Sequence, residues 1–479
     1  MSYVDLVDET ICALVTAPGL SGISVVRVSG PRALELVKKH CSFLPAGIES
    51  HRVYFGKFKT LKDSTFELID ECLVTYFAQG KSFTGDETLE LSLHGGHSCA
   101  HRVLSDLQLS GCRAAERGEF SFRAFYSGKI DLVQAEAIHS LIKSRSDLSR
   151  SQAIKQLSGR VSQKLNTIET QLIQVLAQLE ASIDFSTEDI EPYSFEKMKE
   201  LLANTLPLVE ELVLGYEKGR ILSEGLQVVL AGAPNSGKSS LYNAILGDEK
   251  AIVSEVPGTT RDFLETPMTE FSLPIRLVDT AGLRQTNEAV ELEGIKRTQA
   301  KLQNADVVFY LLDSLNPQDW DLAPLIGASS YIEKTIFLLT KSDKVQDSEA
   351  LLEQTRRFLR NQLDSQLGNQ LSSQQMYSVH SVSSLNGNGL QVVRDKIKNI
   401  SLVDIHHDES VITQHRQFIH LNTCRISLEN AMDLLNKTSS YDLVALEIQT
   451  ALREVFHLLG KEFDEQVLDQ VFKQFCIGK

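Results

Sequence analysis

Residues 232 to 239 read Gly-Ala-Pro-Asn-Ser-Gly-Lys-Ser and fit G-x-x-x-x-G-K-[ST], a loop that cradles phosphates. An apolar run from Leu226 to Ala231 leads into it as a buried strand, and a helix-compatible run from Ser239 to Leu246 follows. This strand–loop–helix order places the segment in an α/β nucleotide-binding domain. Gly232 and Gly237 let the backbone turn its N–H groups toward phosphates. Lys238 supplies a point charge for the β- and γ-phosphates, and the Ser239 hydroxyl suits Mg²⁺. The expected phosphate contacts run through Asn235, Ser236, Gly237, Lys238, Ser239 and Ser240.

The other parts of a guanine-nucleotide site follow in order. Leu277-Val278-Asp279-Thr280-Ala281-Gly282 is a strand ending in D-T-A-G. The Asp279 carboxylate suits Mg²⁺ through water, and Gly282 can donate its N–H to a γ-phosphate, so the loop after it senses hydrolysis. Between these two elements lies Gly258-Thr259-Thr260-Arg261-Asp262, where Thr260 completes the Mg²⁺ shell only while the γ-phosphate is present. A strand from Ile336 to Leu339 leads to Thr340-Lys341-Ser342-Asp343. The Asp343 carboxylate accepts from guanine N1–H and its exocyclic amine, a donor pair that adenine lacks, so the substrate is GTP. Ser383, Ser384 and Leu385, after a strand near Tyr377 to Val382, bring backbone to the guanine O6. The usual base-reading motif is N-K-x-D. Thr340 stands where that Asn ties the loop to the phosphate loop, so a loosened nucleotide site is expected.

Composition sets the frame around this domain. A chain of 479 residues suits two to four domains, and 42% hydrophobic with 23% charged residues is an ordinary globular balance. No apolar run approaches the roughly 20 residues of a membrane span, and the first residues are acidic rather than basic, unlike a secretory leader. Seven dispersed cysteines without C-x-x-C pairing suggest reduced thiols in a cytoplasmic protein. The net charge of −15 argues against a broadly electrostatic nucleic-acid binder and leaves room for a local basic patch.

Three styles of sequence follow one another. Residues 1–120 carry short alternating runs, such as Gly22 to Val28 and Leu68 to Phe77, and predict an α+β domain. Residues 121–218 turn helical, with Ala135 to Arg145 and Leu165 to Ile183 showing apolar spacings of three and four. Residues 219–401 form the P-loop domain. Residues 402–479 are helical again, including Val411 to Asn436 and Leu443 to Leu459. The expected architecture is multidomain α/β, with the P-loop domain inserted into a discontinuous all-α domain (121–218 and 402–479) behind an α+β domain. The polar stretch Gln366 to Gln375 reads as a surface loop.

With these residues assembled, the chain resembles the tRNA-modification GTPase MnmE (TrmE) family over its whole length. The marks are Thr16-Ala-Pro-Gly-x-x-Gly-Ile, Arg27-Val-Ser-Gly-Pro, Phe83-Thr-Gly-Asp-Glu, Leu93-His-Gly-Gly, Gly118-Glu-Phe, Lys129-Ile-Asp-Leu-Val-Gln-Ala-Glu-Ala-Ile and the closing Phe475-Cys-Ile-Gly-Lys479. The last two are highly specific. The resemblance implies an N-terminal folate-binding and dimerisation domain, a split helical domain and a GTPase domain. It implies a homodimer that joins an FAD- and NADH-dependent partner, MnmG, in a heterotetramer or larger complex. That complex places an aminomethyl or carboxymethylaminomethyl group on C5 of the tRNA wobble uridine, with the one-carbon unit from 5,10-methylenetetrahydrofolate, for which 5-formyltetrahydrofolate is an analogue.

Family positions carry over to Arg27, Glu90, Lys129 and Lys479 as folate contacts. Arg and Lys suit a glutamyl tail, and Glu suits pterin N–H groups, while the bland alternative is a set of surface ion pairs. In the GTPase domain, Lys238 is catalytic through the phosphates. Leu283 follows Gly282 and cannot hold a water, so a polar group must come from elsewhere. By resemblance it is Glu291, with Glu288 and Glu293 as competitors and the role of Arg284 open. Asn235, with Ser254, Val256 and Thr259, matches the family's K⁺ site, where the ion neutralises transition-state charge in place of an arginine finger. Ser254 and Thr259 also belong to the expected GTP contacts. The two GTPase domains of a dimer then meet and part as a switch.

Three features keep two readings each. Cys476 is a nucleophile toward uracil C6 or a structural thiol. His94-Gly-Gly-His97-Ser-Cys99-Ala-His101 has zinc-ligand types but lacks a distant second pair, which favours a glycine-rich turn lining the folate pocket. Arg145, Arg150, Lys155, Arg160 and Lys164 form a basic run that meets tRNA phosphates or is a solvated face. Function divides likewise: a GTP hydrolase acting in tRNA modification, or a regulatory GTPase switch such as a ribosome-maturation factor without modification chemistry of its own.

Overall fold

The computed structural model describes residues 7–62, 65–144, 146–184, 195–246, 275–279, 302–322, 325, 332–367, 377–401, 411–437, 441–463 and 465–479. It divides into two compact units. The first comprises Met1–Lys143, Ala153–Gly215 and Ser410–Lys479, and the second comprises Ser144–Gln152 and Tyr216–Glu409.

The first unit begins with a six-stranded sheet in the order β3-β4-β5-β2-β1-β6. Its strands are β1 (Ile11–Leu14), β2 (Ile23–Ser29), β3 (Arg52–Lys62), β4 (Thr65–Phe77), β5 (Thr88–His94) and β6 (Arg113–Ala114). All pairs are antiparallel except β1 with β6. Alternation sets the faces, as expected for a sheet that is covered on each side by different partners. Val26 and Val28 of β2 point into a core with Leu89, Leu91, Val74, α1 (Ala33–Lys38) and α2 (His97–Leu109). Ile11 and Ala13 face the other way and meet Phe120 of α3 (Glu119–Tyr126).

Helices complete this unit: α4 (Leu132–Lys143), α6 (Arg160–Asp184), α7 (Phe195–Leu214), α12 (His415–Asn436), α13 (Tyr441–Leu459) and α14 (Glu465–Lys473), while α5 (Asp147–Leu157) spans the division. Apolar spacing explains them. Leu165, Ile168, Leu172, Val175 and Leu179 form one fully buried stripe of α6. α6 packs on α7 and α13, and α12 packs on α7 and α13. A buried polar cluster ties α4 to α12. Glu136 takes a bidentate pair from Arg416 (2.8 and 3.1 Å) and a third bond from Gln417 (2.6 Å). Gln156 donates to the carbonyl of Val411 at 2.7 Å. A Cβ on Gly215 would sit 3.0 Å from Val411, so the chain leaves this unit and returns to it at adjacent points.

The C-terminus closes back on the sheet of its own chain. Arg117 and Ile477 form an antiparallel bridge, and the N–H of Phe120 donates to the carbonyl of Lys479 at 3.1 Å. Gly118, at φ +73°, is required here because a Cβ would lie 2.3 Å from the carbonyl of Phe472.

The second unit is a parallel five-stranded sheet in the order β11-β10-β9-β7-β8. It contains α8 (Tyr216–Glu224), β7 (Leu226–Gly232), α9 (Lys238–Leu246), β8 (Ile275–Asp279), β9 (Val307–Asp313), β10 (Thr335–Thr340), α10 (Ser348–Leu367), β11 (Val379–Ser381) and α11 (Leu390–Ser401). Its strands are near-continuous apolar runs because both faces are covered. The polar stretch expected as a loop is helical through Leu367, and residues 368–376 lie outside the described residues. No helix among the described residues is long and apolar enough to cross a membrane.

Candidate functional site: the nucleotide loops of the second unit

The parallel ladder brings the carboxyl ends of β7, β9 and β10 to one edge. Gly232 pairs in register with Leu311, and Thr340 with Asp313. Ligands of open α/β sheets bind at such an edge. The loop after β7 folds tightly against β9: a Cβ on Gly232 would sit 2.4 Å from the carbonyl of Leu311. Gly237 (φ +92°) and Asn235 (φ +60°) both take left-handed backbone, and Asn235 does so without a glycine's freedom. Lys238 is buried and its Nζ donates to the carbonyls of Gly232 (3.0 Å) and Ala233 (2.7 Å), which fixes the ammonium inside the loop. Ser239 and Ser240 are exposed in the first turn of α9, whose N–H groups and dipole favour an anion. The hydroxyl of Ser236 is buried with no hydrogen-bond partner among the described residues.

The loop expected to read the base is built on the same edge. Thr340 Oγ1 donates to the carbonyl of Ser236 at 2.7 Å and also lies 3.2 Å from that of Leu312. The tether expected to be lost with the Asn is therefore present, made by a shorter side chain. Lys341 stands at φ +58° and its Nζ pairs with Asp313 Oδ2 at 2.6 Å. Asp313 also accepts from the N–H of Leu315 and from Asn316. Burial opposes its ionisation, but the bonds from Lys341, Leu315 and Asn316 outweigh burial and hold its carboxyl below the usual range. Asp343 Oδ1 accepts from Ser383 Oγ at 2.6 Å, so the two base-facing loops are joined. Leu385 is exposed on the second of them.

Of the expected nucleotide residues, Asn235, Ser236, Gly237, Lys238, Ser239, Ser240, Thr340, Lys341, Asp343, Ser383, Ser384 and Leu385 are in place around these loops. Asp279 ends β8. Ser254, Val256, Thr259, Thr260, Thr280, Ala281, Gly282 and Glu291 lie outside the described residues, as do Arg284, Glu288 and Glu293. Asp313 was missed by the sequence reading. Its sequence signal is a lone carboxylate that ends the apolar run of β9; the structure sets it opposite Thr340, the residue before Lys341.

A second set of expected residues sits in the first unit. Arg27 pairs with Glu90 at 2.7 Å, with side chains 18% and 29% exposed, and its guanidinium lies 5.3 Å from the centre of the Phe120 ring. The backbone N–H of Phe120 donates to the carbonyl of Lys479, so Lys479 is tied by its main chain to the residue whose ring lies under Arg27. Lys129 attaches elsewhere, its Nζ donating to the carbonyl of Gly80. In the same unit, buried Arg123 pairs with Glu119 and Asp86, and burial pushes the Asp86 carboxyl up.

The histidine stretch does not gather a metal. His94 is held by Asp70 (2.7 Å), whose hydrogen bond raises its pKa, and His97 stacks with His101. No cluster of three or more metal-type ligands occurs among the described residues. Gly96, His97 and His101 instead line a cavity of about 270 Å³ with Cys12, Leu104 and Ile477. Within the basic run, Arg150 pairs with Asp147 and Lys164 with Glu211, as on a solvated face. Five cysteines are buried, and Cys12 and Cys41 are pushed far up by sharing hydrogen bonds with Cys112 and Cys72 and then by burial. Cys476 is exposed.

Comparison with known proteins follows this geometry. Residues 132–476 match the MnmE helical domain, and residues 10–129 match the GTP-binding protein TrmE N-terminus. The tRNA modification GTPase MnmE of Bdellovibrio bacteriovorus is 40% identical over 480 residues, covering 98% of both chains. The proteins of the same name from Chlorobium chlorochromatii and Thermus thermophilus are each 36% identical, covering 98% of this chain and 98% and 99% of theirs.

The tether yields a prediction. Thr340→Val keeps the shape of the side chain and leaves the Ser236 carbonyl without its hydroxyl donor. One unmade buried hydrogen bond costs about 1–3 kcal/mol, so guanine-nucleotide affinity is expected to fall about ten-fold or more in a fluorescent-nucleotide titration. Unchanged affinity would show that the tether does not shape the site.

Proposed function

Since the chain belongs to the MnmE family of tRNA modification GTPases, we propose that it hydrolyses GTP to GDP and phosphate in the cytoplasm as part of tRNA wobble-uridine modification. The single observation that carries the reading is the bond from Thr340 to Ser236, which joins the guanine-reading loop to the phosphate loop in one rigid edge. The phosphate-loop N–H groups and Lys238 hold the β- and γ-phosphates, and Asp343 reads the guanine. The loop fits such a ligand: its glycines admit the close backbone approach, and α9 presents its N-terminus. Ser239 and Thr260 would hold Mg²⁺, with Asp279 acting through water. Asn235, Ser254, Val256 and Thr259 would hold K⁺. These ions supply positive charge to the phosphates when bound. Glu291 orients the attacking water.

For the first unit we infer a folate-binding and dimerisation role. Arg27 and Glu90 offer a partly exposed pair of opposite charges, and Lys479 is tied to Phe120 through the backbone; cation and carboxylate suit a glutamyl tail and a pterin. Phe55 and Leu73, paired across β3 and β4, are 67% and 45% exposed beside exposed Val53, an apolar face that supports a homodimer. In this reading residues 1–120 form that domain, 121–218 and 402–479 the helical domain, and 219–401 the GTPase domain. With MnmG and tRNA, the dimer uses 5,10-methylenetetrahydrofolate as its one-carbon source.

Three outcomes are expected. Deleting Cys476 to Lys479 removes the segment that closes on Phe120 and Arg117. Mass spectrometry of wobble uridines in a deletion strain carrying this truncation should show the modification lost, while GTP turnover persists. Full modification would overturn the folate assignment, and Cys476→Ser separates thiol chemistry from packing. Second, K⁺ should stimulate hydrolysis far more than Na⁺, and Asn235→Ala should erase the difference without changing guanine preference. Equal turnover in both salts would sink the cation site. Third, Glu291→Ala should bind GTP nearly normally and lose roughly 10²–10⁴-fold in single-turnover hydrolysis. Near-normal turnover would move the role to Glu288 or to backbone.

A further inference from the structure

Lys341 follows β10 in left-handed backbone (φ +58°), a conformation that costs a bulky residue energy and persists only when its surroundings fix it. Asp313 is what faces it. The ladder sets Asp313 opposite Thr340, and the N–H of Ser314 donates to the carbonyl of Thr340 at 3.2 Å. The carboxylate is itself immobilised. It accepts from the N–H of Leu315 (3.0 Å) and Asn316 Nδ2 (3.0 Å), and the Asp313 carbonyl accepts from Trp320 Nε1 (2.8 Å). With 11% of its side chain exposed, it presents a fixed charge to Lys341 Nζ at 2.6 Å. The pair lines a cavity of about 150 Å³ together with Ala233, Pro234 and Asn235 of the phosphate loop. Lys341 is thus held to the end of β9, while Asp343, two residues on, is bonded to Ser383.

We propose that Asp313 is a positioning residue for guanine-nucleotide binding: its carboxylate pins Lys341 in the left-handed turn and so sets the direction of the base-reading loop. This rests on the reading of Lys341 and Asp343 as base-loop residues. Asp313 touches no reacting atom, so it governs ground-state binding of GDP and GTP alike and leaves the hydrolytic step untouched.

The test uses the full chain. Asp313→Asn keeps the shape and an acceptor and removes the charge. GDP affinity and the KM for GTP should each weaken roughly ten-fold, the scale of one charge-assisted hydrogen bond, with kcat within about two-fold. Asp313→Glu keeps the charge and should retain most of the affinity, which a folding defect would not allow. In Lys341→Gln, adding Asp313→Asn should cause no further loss, because both act through one contact. Unchanged KM and GDP affinity in Asp313→Asn, or losses that multiply in the double variant, overturn the proposal. Asp343→Asn separates the underlying reading, since it should exchange guanine for xanthine nucleotides. If it still prefers guanine, the base-loop assignment fails whatever Asp313 does.

Discussion

The nucleotide site depends on the hydrogen-bond ladder of a parallel sheet. Evenly spaced, slanted bonds fix the register of β7, β9 and β10 so that Gly232, Asp313 and Thr340 end at one edge. None of these residues is near another in sequence. Once the ladder has aligned them, short side chains suffice: a threonine hydroxyl reaches the phosphate loop, and an aspartate reaches the lysine across the strand gap. Thr for Asn is tolerable here because the strands bring Thr340 to 2.7 Å from its acceptor, leaving no span for a longer amide to bridge.

The first unit relies on closure of the chain ends. A helical segment that begins near Leu132 must wait for α12 and α13 before Glu136 finds Arg416 and Gln417, some 280 residues later. Insertion of the P-loop unit is compatible with this because Gly215 and Val411 are neighbours, so the long excursion leaves the packing of the unit's own helices undisturbed. The same logic holds at the end of the chain. Phe475 to Lys479 has no element of its own, and it is held by the backbone N–H groups of Gly118 and Phe120 and by the Arg117 side chain, whose Nε donates to the carbonyl of Phe475.

Much of this was legible in the sequence where a local rule applied. The phosphate loop, its strand and its helix follow from glycine spacing and an apolar run, and α6 follows from a stripe at three- and four-residue steps. What was not legible depends on register or long-range contact. Asp313 carries no motif, and only its position opposite Thr340 gives it a partner. The reach of Thr340 was misjudged because sequence shows the shorter side chain and not the distance it must cover. The histidine stretch offered ligand types, yet Asp70, 24 residues away, takes His94, and helical geometry stacks His97 on His101.

Burial separates charges that hold the first unit together from those free to meet a ligand. Arg123 and Glu119 are each 1% exposed, and with Asp86 on Arg123 and Arg113 on Glu119 they form a buried network in which each charge has more than one partner. The pair is therefore structural. Arg27 and Glu90 are partly open to water, where an ion pair is worth about 0–1 kcal/mol. A ligand that takes over either hydrogen bond disrupts little, while the strands keep both groups on one face because β2 and β5 pair Arg27 directly with Glu90. Low intrinsic worth and fixed placement are together what an exchangeable binding group needs.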